Sequence, residues 1–253
     1  MEVHHHPEVE KKGFKEYILE GLMIFIAVMM GFFAESIREH LSDRSKENEF
    51  MISMVRDLKA DTLQISNTIK NYNSICAAID TLLITLKSGE PDAALINRIV
   101  SQNFWAYTGF NYNNNTIQQL KSSGNFRLVQ NKRVTDSILK YDNLENAFIL
   151  NQYIDLKNTL MTYKYVEAKV IHYQELKSSD VDASGFNSAD FTSDKNFTIT
   201  TDKSMISTYY NDLFIHGELC HTFLRNLKWT YGRAARLITF IKTEYKLKDE
   251  SVK

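Results

Sequence analysis

The sequence predicts an all-α protein, with an N-terminal transmembrane helix followed by a bundle of long antiparallel helices. Three observations carry this expectation. Residues that turn the chain sharply are scarce, one early stretch is free of charge, and two long segments repeat apolar residues in alternating steps of three and four.

The 253 residues include only 9 glycines and 2 prolines, against usual shares of about 7% and 5%. A chain with so few turn formers spends its length in long helices. Thirty Lys plus Arg stand against 31 Asp plus Glu, a formal net charge of -1, so no overall field gathers nucleic acid or acidic substrates. Nucleic acid is therefore not an expected partner.

From Tyr17 to Ile37 the chain reads YILEGLMIFIAVMMGFFAESI, and Gly21 to Ala34 holds no charge. Fourteen helical residues rise only about 21 Å, short of the roughly 30 Å hydrocarbon layer. The flanking Tyr17, Ile18 and Leu19 must therefore contribute, and residues 17–37 read as the transmembrane helix. Glu20 then falls about one turn inside the boundary, where a carboxylate reaches the interface, takes up a proton or meets a partner helix. Ala27 and Gly31 form a small-x-x-x-small pair that lets two helices approach closely. Glu20, Ala27, Gly31 and Glu35 are thus the expected partner-binding residues of the membrane helix. The expected partners are membrane lipid and either a second copy of the chain or other envelope membrane proteins.

A cleaved signal peptide is disfavoured, because GFFAES at 31–36 has no clear A-x-A pattern and the helical signal runs on through Ile37 and Leu41. Lys11, Lys12 and Lys15 precede the segment and Arg38, Arg44 and Lys46 follow it, which leans towards a cytoplasmic N-terminus. Residues 1–16 read as a basic, histidine-containing cytoplasmic tail. No carboxylate or cysteine spacing completes a metal site around His4, His5 and His6, so no metal and no cofactor is expected. The location implied is a bacterial inner membrane, crossed once, with the C-terminal domain in the periplasm.

Residues 38–253 read as the soluble helical-bundle domain. After a charged stretch, Met51, Val55, Leu58, Thr62, Ile65, Ile69, Tyr72, Cys76, Ile79, Leu83 and Leu86 form a heptad seam of coiled-coil type. Such a run predicts a long helix packed at a shallow angle, ended by Ser-Gly-Glu-Pro-Asp at 88–92. A shorter helix is expected near 93–102. The aromatic, asparagine-rich segment FWAYTGFNYNNN follows, from Phe104 to Asn115. Its aromatics read first as a cap on the bundle's end; the alternative is a ligand pocket lined by Phe104, Trp105, Tyr107, Phe110 and Tyr112.

A helix is expected from about Thr116 to Ser122, ending at Gly124, which suits a left-handed position. A second extended helix is predicted over about 132–173, with Val134, Ile138, Tyr141, Leu144 and Phe148 inward. Residues 178–203, rich in Ser, Asp, Asn and Thr, read as an exposed loop. Its Asp180, Asp182, Asp190 and Asp194 lack the order of ligands that calcium loops require. The last helix, about 204–248, repeats the seam at Leu213, His216, Cys220, Phe223, Leu227, Tyr231, Ala234, Ile238, Ile241 and Tyr245. His216 there reads as a satisfied core residue. Cys76 and Cys220 have no C-x-x-C partner; both lie on seams, and a disulfide between them is open in an oxidising compartment.

Two stretches, KEYILEGLMIFIAVMMGFFAESIREHL (15–41) and TIQQLKSSGNFRLVQNKRVTDSILKYDN (116–143), cover about a fifth of the chain. They resemble an uncharacterised family of bacterial single-span membrane proteins. The second contains an L-x-S-S-G-x-x-x-L-(I/V)-x-N element, matched here by Leu120, Ser122, Ser123, Gly124, Leu128, Val129 and Asn131. The resemblance implies a basic tail, one span and a mostly helical domain outside the cytoplasm; the family has no assigned activity, so the resemblance bears on topology and not on mechanism. Physically, the element can end one helix on glycine and cap the next with Asn131.

No nucleophile elbow, phosphate loop, H-E-x-x-H or dinucleotide fingerprint is present, so an enzyme is not expected. The leading expectation is a structural or interaction subunit of the cell envelope. The alternative is an extracytoplasmic ligand-sensing bundle; with about 16 residues ahead of the span, its signal would have to pass through a partner.

Overall fold

The computed structural model describes residues 13–88, 92–103, 112–144, 149–173, 181–182, 185–186 and 197–248. The chain divides into two compact units, Met1–Phe50 and Met51–Lys253. The described residues form mostly helix: α1 (Phe14–Lys87), α2 (Ala93–Asn103), α3 (Asn115–Ser122), α4 (Lys132–Leu144), α5 (Leu150–Val170) and α6 (Lys203–Tyr245). Four short strands accompany them: β1 (Ile171–Tyr173), β2 (Val181–Asp182), β3 (Gly185–Phe186) and β4 (Phe197–Ile199).

In the first unit α1 carries large apolar side chains on every side. Those from Phe14 to Leu41, including Leu22, Phe25, Met30 and Phe33, are all exposed. At its start Glu16 Oε2 accepts the Gly13 N–H at 2.9 Å, which satisfies one of the backbone donors a helix start leaves open.

The second unit holds the core. Along α1, Met51, Leu58, Ile65, Tyr72, Ile79 and Leu86 recur at intervals of seven and are buried. The companion column is Met54, Asp61, Thr68, Ile75 and Leu82, also buried. Thr62, Ile69 and Leu83 of the expected seam are only half-buried. Its other members, Val55 and Cys76 included, are buried, so the buried face is the expected seam extended by the Met54 column, which accepts two polar residues whose groups are paired. Thr68 Oγ1 donates to the Gln64 carbonyl at 2.9 Å, and Asp61 accepts two donors described below.

The same holds on α6. His216, Phe223, Thr230 and Leu237 form a buried column beside Leu213, Cys220, Leu227, Ala234 and Ile241. Tyr231, expected inward, is 42% exposed, and Ile238 is half-buried. A threonine at 230, buried like its neighbours in the column, hides that column from a hydropathy pattern. Tyr72 and Phe223 meet edge to face with centroids 4.9 Å apart, and each such buried side chain contributes about 1.5–3 kcal/mol. Gly217 permits the approach of α1 and α6: a Cβ there would lie 2.9 Å from Ile79 Cγ2.

Two expected elements are corrected. The predicted helix over about 132–173 is covered by α4 to Leu144 and by α5 from Leu150, with residues 145–148 outside the described residues; its end is corrected, because the chain turns extended at Ile171 (φ -104, ψ 117) and 171–173 form β1. Leu144 is half-buried, and Phe148 lies outside the described residues. The expected loop at 178–203 contains strands. β1 pairs antiparallel with β4, Ile171 opposite Ile199 and Tyr173 opposite Phe197, and β2 pairs with β3. Asp202 then caps α6, its Oδ1 accepting the Ser204 N–H at 2.8 Å and the Met205 N–H at 3.3 Å, as short polar side chains do at helix starts.

Candidate functional site

The four expected partner-binding residues all lie on α1. Glu20, Ala27, Gly31 and Glu35 are exposed. Steps of seven and four place Glu20, Ala27 and Gly31 along one side of the helix. Nothing lies within 4 Å of a Cβ built on Gly31. Glu35 receives the Arg38 guanidinium through both carboxylate oxygens, a bidentate exposed pair one turn long.

Of the expected pocket residues, Phe104, Trp105, Tyr107 and Phe110 lie outside the described residues. Tyr112 is described, and its hydroxyl donates to Asp142 Oδ1 at 3.0 Å. Its ring meets Tyr141 edge-on, centroids 5.9 Å apart. Tyr112 is therefore part of a polar clamp. Asp142, 1% exposed, also takes a bond from Lys121 Nζ. Asp61 accepts the Asn113 N–H at 2.9 Å and the Tyr141 hydroxyl at 3.0 Å. One turn earlier Asp57 Oδ2 accepts the Thr116 N–H at 2.9 Å.

This clamp has a backbone logic. The residue before α3, Asn114, makes no side-chain capping bond, so Asp57 of α1 supplies the missing acceptor from another helix. Its negative charge also suits the positive end of the α3 dipole. Burial raises the Asp61 carboxyl to about 6 despite two donated hydrogen bonds. The following Ser-Ser-Gly element turns the chain: Gly124 takes φ +67, and Asn131 Oδ1 accepts the Arg133 N–H at 3.1 Å and the Val134 N–H at 3.4 Å, capping α4.

A second cluster joins α5 to α6. His216 Nδ1 lies 2.8 Å from Thr159 Oγ1, and His216 Nε2 lies 3.3 Å from Cys220 Sγ. The Tyr163 ring stands 4.7 Å from the imidazole. Below it Glu167 accepts Lys164 Nζ and the Tyr209 hydroxyl, both at 2.6 Å. Burial first, then the nearby Lys164 charge, pushes His216 down to about 4, so it is neutral at pH 7. A cysteine beside a neutral histidine has the parts of a nucleophile pair. Here both are fully buried at 0% exposure, so the pair is sealed from any substrate. Cys76 and Cys220 are free thiols, so the disulfide left open by the sequence is not formed.

Two surface grooves are lined by cations. One, of about 360 Å³, lies between α4 and α6, with Lys140, Arg233 and Arg236 in its wall. The other, of about 300 Å³, includes Arg56, Lys59, Lys242 and Lys248. Among the described residues no three His, Cys, Asp or Glu side chains gather as a metal site; His4, His5 and His6 lie outside them. No family model, curated protein or solved structure matches the chain.

Sequence reasoning passed over Asp61, Asp142, Glu167 and the two grooves. One signal was available. Asp61 stands seven residues after Met54 and seven before Thr68, on a column completed by Ile75 and Leu82.

Proposed function

We propose that the protein is a membrane-anchored structural or interaction subunit of a bacterial envelope complex, without catalysis of its own. The supporting observation is α1 around residues 17–37: its most apolar 18-residue window is 0% buried. A helix of a soluble domain hides at least one apolar stripe. A helix apolar and uncovered on all sides suits hydrocarbon, where its backbone groups are already paired within the helix. Residues 17–37 rise about 32 Å, enough for a bilayer core of roughly 30 Å.

In this reading the side carrying Glu20, Ala27 and Gly31 meets a partner helix or a second copy, and the bundle offers a binding face in the periplasm. The sealed His216–Cys220 pair supports a non-catalytic role for that cluster. The motif resemblance at 15–41 and 116–143 favours the same topology.

The first test is alkaline extraction of membranes from cells making the full chain. Retention in the pellet is expected, and release into the soluble fraction would overturn the anchor. Purification in mild detergent is then expected to yield a stoichiometric partner or a homo-oligomer, weakened by Glu20→Gln; a lone monomer overturns the interaction role. A periplasm-dependent reporter enzyme fused to the C-terminus should be active, and an inactive fusion reverses the orientation.

A further inference from the structure

We propose that the groove between α4 and α6 binds a phosphate-type oxyanion. Ser137, Lys140 and Tyr141 face it from α4, and Arg233, Arg236 and Phe240 face it from α6. Each set is spaced by three and four residues, so each helix commits one continuous face. The chain as a whole has a net charge of -1; the positive character of this groove is a local arrangement.

The charges inside it are available. No carboxylate lines the groove, and among the described residues Lys140, Arg233 and Arg236 form no ion pair. Asp136, one turn before Lys140, makes none with it. The neighbouring acid, Glu244, is held at the margin, where Asn131 Nδ2 donates to it at 2.6 Å and Arg133 Nη2 lies 3.3 Å away. Arg133 in turn sits 5.8 Å over the ring of Phe240, a lining residue.

Arg233 is set in place. Its Cζ lies 3.8 Å over the Trp229 ring, a cation–π contact that restrains the guanidinium. Two guanidinium forks and one ammonium match the several oxygens of a tetrahedral anion better than the two of a carboxylate. Tyr141 and Phe240 add aromatic wall beside the cations. The volume of about 360 Å³ exceeds a bare phosphate and leaves room for an esterified group, within the usual range of small-molecule sites. The shared chemistry is a phosphate group, either free or as a lipid headgroup. The groove lies wholly within the 51–253 unit, so its test stands apart from that of the membrane anchor.

The experiment uses the full chain in a neutral detergent micelle, titrated with inorganic phosphate at constant ionic strength and followed by tryptophan emission and calorimetry. Chloride and succinate serve as controls. A saturable phosphate response is expected, weakened at least ten-fold in Arg233→Gln/Arg236→Gln. Because Arg233 touches the reporter ring, Lys140→Gln on the other helix is the second variant, read by calorimetry and expected to weaken binding several-fold with an unchanged circular dichroism spectrum. The titration is repeated in nanodiscs of phosphatidylcholine alone and with phosphatidylglycerol added. Loss of free-phosphate binding only in the anionic discs assigns the site to a headgroup, and equal binding in both assigns it to a soluble phosphate. A response no stronger than that to chloride or succinate, or variants that bind phosphate as the wild type does, overturns the proposal.

Discussion

Gly217 and Gly232 share helix α6, and an alanine at each separates the backbone preference of a helix from the packing limit of the core. Unobstructed, Gly to Ala inside a helix favours the folded state by up to about 1 kcal/mol. At Gly232 the new Cβ would meet Arg236 Nη1 at 3.4 Å, the tip of a long exposed side chain that can move aside. Gly232→Ala is expected to stabilise by about 0.5–1 kcal/mol. At Gly217 the Cβ would stand 2.9 Å from Ile79 Cγ2 and 3.9 Å from Leu83 Cδ1. Ile79 is 5% exposed, and its Cγ2 branches from a stiff Cβ, so relief requires α1 to shift. Overpacking of this kind costs about 1–3 kcal/mol. After the helix gain, Gly217→Ala falls about 0–2 kcal/mol below wild type and roughly 1–3 kcal/mol below Gly232→Ala. Thermal unfolding of the full chain in detergent, followed by far-UV circular dichroism, resolves this, since 1 kcal/mol shifts Tm by about 2–4 °C at this size. A Gly217→Ala protein melting at or above Gly232→Ala would refute the close approach of α1 and α6.

Asp61, raised from 3.8 to about 6, binds its proton more tightly folded than unfolded, so its contribution favours the fold below about pH 4 and is lost as pH rises through about 6, on the order of 3 kcal/mol. Asp61→Asn, which still accepts the Asn113 N–H and can donate to Tyr141, should abolish that dependence in denaturant titrations; a variant-minus-wild-type difference constant from about pH 4 to 7 contradicts it. His216, lowered from 6.5 to about 4, acts with opposite sign: its neutral form suits the fold, and stability is lost as pH falls from about 6.5 towards 4, by a similar amount. His216→Gln should flatten this acid limb, and an acid limb as steep as wild type's would place the imidazole in solvent. Cys76, raised to about 11 by burial and the Asp80 charge, and the fully buried Cys220 should resist thiol reagents in the native chain and react on unfolding; rapid labelling before unfolding would show that the α1–α6 seam is open.

The helices were legible in the sequence because their signals are local and repeated. α1, α2, α3 and α6 end within a few residues of their expected limits, marked by Asp92, Gly124 and Asp202. The β1–β4 ribbon was not legible. A strand of three residues has no period to detect, and the partner of Ile171 lies at Ile199, separated by a polar stretch that reads as loop.

The candidate sites divide along the same line. Composition and charge pattern were enough to single out residues 17–37 and the small-residue side of that helix, because an uncharged run of such length is a property of the chain itself. Which polar residues the core tolerates depended on partners far along the chain. Asp61 is buried because Asn113 and Tyr141, 52 and 80 residues away, donate to it. Lys140, Arg233 and Arg236 share one groove because α4 packs on α6. Hydropathy scores each residue by its own free energy of transfer, whereas burial of a charge or a hydroxyl is decided by the donors and acceptors that tertiary packing brings within about 3 Å.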